Sequence, residues 1–162
     1  MMIKKILFSI LLLTFFTGTS FAAGSSDSGS NKTLYDKAVE QIKIAKKLEK
    51  KGKSEKAIKR YERAIKFLLK SNKKKPNKAD TLNYLGFATR KIGDFENGEK
   101  YYLQGLAIEP NHIGINEYLG ELYVATNRMD LAKERLSILE KCNCKEYNQL
   151  KGVVDGSKKS KY

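Results

Sequence analysis

The stretch that decides the fold is residues 79–112, which read ADTLNYLGFATRKIGDFENGEKYYLQGLAIEPNH. Two of its features return 34 positions later, because Leu85-Gly86 is followed by Leu119-Gly120 and Gly98 by Ala132. A fixed period of this length is typical of proteins built from stacked repeats. The apolar positions recur every three or four residues rather than every two, so we expect helices and no strands. The sequence therefore predicts an all-α solenoid.

Small residues and bulky residues have different places in such an array. Each repeat is a helical hairpin that cannot cover its own apolar face, so neighbouring hairpins stack and bury that face together. We expect Gly86, Gly98 and Gly105 where two helices come closest, since a side chain would not fit there. Tyr102 and Leu136, also 34 positions apart, are expected to fill the space between layers.

The same residues carry a family resemblance. Residues 79–112 resemble one tetratricopeptide repeat, with matches at Leu82, Leu85-Gly86, Gly98, Tyr102, Gly105 and Pro110. Residues 113–146 resemble a repeat that ends the array, with Cys144 in the place of the proline. Residues 38–78 match the repeat pattern more weakly, and this unit is 41 rather than 34 residues long. The extra length predicts a second helix extended by up to two turns. The resemblance implies a TPR-like α-solenoid of about three helical hairpins.

Both ends of the chain are expected to lie outside the repeats. Lys4 and Lys5 precede an apolar run from residue 6 to residue 16, which predicts a signal peptide over 1–22; a cut one residue later or an uncleaved anchor remains an alternative. We therefore expect a periplasmic or secreted protein. Residues 23–32 are expected to be a flexible linker. The TPR domain would span 33–154, with a closing helix at 145–154 before a disordered basic tail at 155–162.

Charge is unevenly distributed along the chain. Residues 32–78 contain 18 Lys or Arg against 5 Asp or Glu, whereas residues 79–141 contain 7 against 10. The simplest interpretation is a solvated surface that keeps the protein soluble. The alternative is attraction to anionic components of the cell envelope or to an acidic protein. We do not expect nucleic acid as a partner, because the lysines are not interleaved with aromatic residues as in single-strand binders.

Cys142 and Cys144 are the two cysteines of the chain. An exported protein with an even number of cysteines favours a disulfide, although free or intermolecularly paired thiols and a metal or redox role remain alternatives. Small exported bacterial TPR proteins, which this chain resembles, often carry two cysteines before a segment like residues 146–150. That resemblance implies a structural clasp that leads into the closing helix.

The sequence gives little support for catalysis. His112 lies at a repeat junction, where capping of the following helix is expected rather than general base chemistry. The sequence shows neither a glycine-rich phosphate loop nor a paired-acid site, and zinc would need four ligands. We therefore expect no enzyme activity, no cofactor and no metal.

The resemblance instead implies a binding module. In tetratricopeptide arrays the first helix of each hairpin lines a concave groove, and repeat positions 2, 5, 9, 12 and 13 usually face a peptide ligand. Those positions are Asp80, Asn83, Phe87, Arg90 and Lys91 in the middle unit, and Gly114, Glu117, Glu121, Val124 and Ala125 in the last unit. In the first unit they are Val39, Ile42, Lys46, Glu49 and Lys50.

From these positions we expect partner contacts from Asp80, Asn83, Phe87, Arg90, Lys91, Glu117 and Glu121. Phe87 is the expected aromatic anchor, and the alternative is that its ring packs between helices as core. Ile42 and Lys46 replace the lysine and asparagine with which some family members hold a C-terminal carboxylate. Recognition of a protein or peptide segment in the groove is thus the first hypothesis. A charge-driven envelope binder and a thiol redox or metal protein are the alternatives.

Overall fold

The computed structural model describes residues 32–160 of the chain. This part contains seven α-helices and one short 3-10 helix, and none of its residues lies in a strand. The α-helices are α1 Leu34–Lys50, α2 Ser54–Lys74, α3 Ala79–Lys91, α4 Phe95–Ile108, α5 Ile113–Ala125, α6 Met129–Leu139 and α7 Lys145–Val154. The prediction of an all-α fold made of three hairpins and a closing helix is confirmed.

Local signals in the sequence set the helix ends. Thr33 caps α1 in a capping box, in which its hydroxyl accepts from the Asp36 amide and the Asp36 carboxylate accepts from the Thr33 amide. The turns within the three hairpins each contain a residue with positive φ, namely Gly52 at +68°, Gly93 at +93° and Asn127 at +59°. These residue types tolerate the left-handed conformation that reverses the chain after a helix.

The first hairpin has an unusually long second helix. α2 contains 21 residues, whereas α4 contains 14. The seven extra residues correspond to about two helical turns, which accounts for the 41-residue spacing of the first repeat. The predicted extension of this helix is confirmed.

Neighbouring helices pack closely at the small residues that the repeat places at the crossings. A Cβ atom added to Gly86 would lie 2.5 Å from the buried ring of Tyr102, so the α3–α4 packing requires glycine at this position. At the end of the array a Cβ on Gly120 would lie 2.5 Å from Cδ2 of Leu150, which places α7 directly against α5. Tyr102 fills the layer as predicted, whereas Leu136 is only partly buried.

The array ends in a short clasp followed by α7. The 3-10 helix Glu140–Cys142 follows α6, and a disulfide joins Cys142 to Cys144, the residue just before α7. Leu150 is fully buried, so α7 closes the end of the third hairpin as expected. Just beyond α7, in the segment predicted to be a disordered tail, the Lys158 amide donates to the Gly152 carbonyl at 2.9 Å.

The signal peptide predicted at 1–22 and nearly all of the predicted linker at 23–32 lie outside the described residues. Within residues 32–160, no helix has both the length and the apolar character that crossing a bilayer would require.

Candidate functional site

α1, α3 and α5 are the first helices of the three hairpins, and α3 contacts both of the others. We call the surface formed by these three helices the first-helix face. All seven residues predicted to bind a partner lie on α3 or α5. The structure brings them together, but it buries most of them: Asn83, Phe87, Arg90, Glu117 and Glu121 are each less than a tenth exposed.

Phe87 lies in the core between hairpins. Its ring contacts Tyr61 with an edge-to-face centroid distance of 5.9 Å, and it contacts Tyr118 at 5.0 Å. The Lys46 ammonium group lies 4.3 Å from the centroid of the same ring, within the range of a cation–π interaction. Phe87 is only 2% exposed, so it packs between helices, as the alternative in the sequence analysis foresaw. A ligand on the first-helix face would meet Lys46 and Tyr118 before it met Phe87.

Arg90 and Glu121 form a buried ion pair between α3 and α5. An Nη atom of Arg90 lies 3.6 Å from a carboxylate oxygen of Glu121, and neither side chain is exposed. Arg90 also donates to the Tyr118 carbonyl at 3.2 Å, and Gln149 on α7 donates to Glu121 at 3.1 Å. This arrangement fastens two hairpins and the closing helix together, so these charges serve primarily to hold the array.

Lys91 and Asp80 are the predicted site residues nearest to solvent. The Lys91 ammonium group lies 2.7 Å from the Glu49 carboxylate of α1 and retains 13% exposure of its side chain. The Asp80 side chain is 73% exposed, and its carboxylate lies 3.2 Å from Nε2 of His112. Both residues thus combine contacts between hairpins with access to solvent.

His112 has the capping role expected for it. Its Nδ1 accepts a hydrogen bond from the Ile115 amide at 3.1 Å, in the first turn of α5. The ring therefore connects the start of α5 to Asp80 at the start of α3.

Sequence reasoning missed a set of tyrosines on the first-helix face. Tyr35, Tyr84 and Tyr118 lie on α1, α3 and α5, and each is only partly buried. The rings of Tyr35 and Tyr84 make an edge-to-face contact with a centroid distance of 5.7 Å. Burial raises the pKa of all three hydroxyl groups further above neutral pH, where a tyrosine is already a protonated donor. The signal was available, because Tyr84 and Tyr118 are 34 positions apart in the sequence.

The other predicted groove positions are divided between core and surface. Ile42 is buried with 2% exposure, whereas Lys50 and Ala125 are exposed. Lys46 and Glu49 on α1 are partly buried and contact the middle hairpin through Phe87 and Lys91. The remaining positions, Val39, Gly114 and Val124, are also partly buried.

The described residues show little that resembles a reaction centre. Among residues 32–160, no three His, Cys, Asp or Glu side chains come together in a way that could hold a metal ion. Both cysteines of the chain are in the disulfide. The chemistry of the first-helix face is therefore that of aromatic rings, ammonium groups and hydrogen-bond donors.

Comparison with known proteins finds a family model that matches the second hairpin. Residues 79–112 match the family model described as tetratricopeptide repeat. The second hairpin is thus similar to a tetratricopeptide repeat. This match covers both α3 and α4, and the fold of the described residues is a TPR-like α-solenoid. The matching model describes a repeat and not an enzyme.

A solved structure described as the first TPR of Spaghetti (RPAP3) bound to HSP90 peptide SRMEEVD is also similar. It has a TM-score of 0.48 and 19% sequence identity, and the match covers 76% of this chain and 94% of that chain. No curated protein matches the chain.

Proposed function

We propose that this protein is a non-catalytic interaction module or adaptor of the bacterial cell envelope, which binds a peptide or helix of a partner protein on its first-helix face. The observation that carries the proposal is the partly exposed set of Tyr35, Tyr84 and Tyr118 on three successive first helices. The TPR match of the second hairpin supports it, because repeat arrays of this kind offer extended binding surfaces.

The exposed chemistry indicates what a partner segment must supply. Tyrosine rings give large, rigid contact area at low entropic cost and are enriched at interaction hot spots. The Lys46 ammonium group lies 6.0 Å from the centroid of the Tyr118 ring, and Lys50 is exposed at the end of α1. Lys91 adds a further partly exposed ammonium group at the end of α3, where it pairs with Glu49. A segment with apolar and acidic side chains fits this surface best, since its charges would complement the lysines.

The envelope location is part of the proposal and depends on the sequence of residues 1–22. Lys4 and Lys5 followed by an apolar run are typical of a secretory signal. The predicted clasp at Cys142 and Cys144 suits an oxidising compartment, where disulfides persist. Fractionation of producing cells tests this point, and recovery of the protein from the cytosol with its N-terminus uncut would contradict it.

The binding proposal is tested by substitutions that leave the core intact. Lys46→Ala with Tyr84→Ala should weaken capture of the partner, because both side chains lie at the surface of the first-helix face. The control is Lys66→Ala with Leu103→Ala, which removes one lysine and one large apolar side chain from exposed positions of α2 and α4. Circular dichroism must show that both variants fold. Equal capture by the two variants would reject the first-helix face as the binding surface.

A second candidate function is favoured by a stripe of exposed cations on α2. The stripe follows the helical spacing of three and four and lies opposite the buried face of α2; its members are Lys56, Lys59, Arg63, Lys66, Lys70 and Lys73. At the rise of an α-helix it extends over about 25 Å. A straight array of this kind suits an anionic envelope surface, and such binding should fall steeply as salt is added. Retention on anionic vesicles that does not change with salt would count against this function.

A further inference from the structure

A cavity of about 430 Å³ opens between the first and second hairpins, and Tyr84 and Tyr118 are not among its lining residues. It lies where the N-terminal ends of α1 and α3 meet the C-terminal end of α2. Most of its surface is apolar, and Leu34 and Tyr35 of α1 contribute to its wall. Its size falls within the range of small-molecule binding pockets.

The residues that line the cavity combine this apolar wall with three cations. Lys74 and Lys75 end α2, Lys78 precedes α3, and all three are exposed. Asp80 is the acidic residue of the lining, and its carboxylate lies within 3.2 Å of the His112 ring. His112 is not a lining residue, so the three lysines and Asp80 give the lining a net charge of +2 at neutral pH. This charge favours an anionic ligand.

Two further features lie at the same edge. The first turn of α3 receives no hydrogen bond from a capping side chain, so its amide groups add to the positive potential of the lysines. Thr81 lines the cavity with a residue exposure of only 4%, so this residue belongs to the inner wall. The cavity thus offers apolar walls within and positive charge at its edge.

We propose that this cavity binds an amphipathic carboxylate, with its apolar chain against Leu34 and Tyr35 and its carboxylate among Lys74, Lys75 and Lys78. The apolar chain leaves water for the wall of the cavity, and this burial provides the affinity. The three ammonium groups select an anionic head group and place it at the solvent side. Tyr35 belongs both to this cavity and to the proposed partner surface, but the three lysines that hold the carboxylate lie outside the tyrosine set, so the proposal does not depend on partner binding.

The experiment uses the protein expressed from its full sequence and decanoate, below its micelle-forming concentration, as the probe. Binding is followed by chemical shifts of the backbone amides in nuclear magnetic resonance spectra. We expect saturable shifts at Tyr35, Thr81 and Lys78, with little change at Tyr118. Decyl alcohol should bind about tenfold more weakly, because it lacks the charge that the lysines recognise, and acetate should not bind measurably.

A matched pair of variants separates this site from the general basic charge of the protein. The triple variant Lys74→Gln, Lys75→Gln and Lys78→Gln should weaken decanoate binding about tenfold and leave the affinity for decyl alcohol unchanged. The control triple variant, at the exposed positions Lys56, Lys59 and Lys66 of α2, removes the same charge and should change the affinity less than about twofold.

The outcomes decide the proposal in either direction. Shifts confined to the cavity, together with loss of binding only in the first triple variant, would support it. Equal loss in both triple variants would overturn it, because the lysines would then act only through the overall charge. Absence of saturable shifts at the cavity, or shifts centred elsewhere, would also overturn it.

Discussion

The buried pair of Arg90 and Glu121 should be among the most sensitive points of the fold. Neither side chain has any exposure, and the pair joins the second hairpin to the third. Glu117, which is 4% exposed, adds a second buried carboxylate on α5. We therefore predict that Glu121→Gln, Arg90→Met and the double variant Arg90→Met with Glu121→Leu will differ strongly in stability.

The magnitudes follow from what each substitution leaves behind. Glu121→Gln keeps the shape and a hydrogen-bond acceptor for Gln149, but Arg90 loses a countercharge 3.6 Å away, so we expect a loss of about 3 kcal/mol. Arg90→Met leaves the carboxylates of Glu117 and Glu121 buried with one cation fewer, and we expect about 5 kcal/mol. The double variant buries apolar groups at both positions, and we expect it to lose less free energy than Arg90→Met alone.

The assay is urea unfolding of each variant followed by helical circular dichroism. Glu121→Leu is also measured alone, so that Arg90→Met, Glu121→Leu and their double variant close a double-mutant cycle. A coupling of about 2 kcal/mol or more between positions 90 and 121 would agree with a buried pair. If both single substitutions cost less than about 1 kcal/mol, or if their effects add in the double variant, the two groups are solvated and the described packing of α3 against α5 is incorrect.

Three further predictions concern the helix ends and the closing helix. Asp94→Ala should lower the free energy of unfolding by about 1 kcal/mol near pH 7, because the carboxylate accepts hydrogen bonds from the side-chain amide and the backbone amide of Asn97 at the start of α4. These hydrogen bonds lower the pKa of Asp94, so the stabilisation is present above the pKa of the unfolded carboxyl group and is lost as the pH falls through the folded pKa. Unfolding measurements at several pH values check both points. A variant as stable as the wild type at pH 7 would contradict them. Gly120→Val should detach α7, because a branched side chain would collide with Leu150. Amide hydrogen exchange should then accelerate in α7 but not in α1, and unchanged protection of α7 would argue against this contact. Reduction of the disulfide between Cys142 and Cys144 should cost only about 1.6 kcal/mol, because the closed loop is short, and a collapse of the fold on reduction would refute this.

Much of the architecture could be predicted because the relevant signals are local or strictly periodic. Gly52, Gly93 and Asn127 mark chain reversals through their tolerance of positive φ. The 34-residue interval fixes which positions face each other, so Gly86 could be assigned to a helix crossing before its neighbour Tyr102 was located.

The candidate site was less predictable because burial depends on contacts between distant residues. Repeat positions 9 and 12 placed Phe87 and Arg90 on the correct helix, but the sequence does not show that Tyr118 and Glu121 of the next hairpin cover them. Charged residues are usually exposed, so a fully buried arginine runs against the ordinary expectation. The glycine at position 98 was an indirect signal, because it predicts that α4 packs closely against its neighbour. In the structure a Cβ atom added to Gly98 would lie 3.1 Å from Cβ of Arg90.

The central claim is that the first-helix face receives a partner segment, and site-specific photo-crosslinking in the producing cell tests it most directly. A photoreactive phenylalanine analogue is placed at Tyr84 in one variant and at Leu103, which is 47% exposed on α4, in another. We predict a discrete crosslinked species from position 84 that is absent from position 103 and that weakens when Lys46→Ala is added. Equal crosslinking from both positions, or crosslinking from position 103 alone, would contradict the claim.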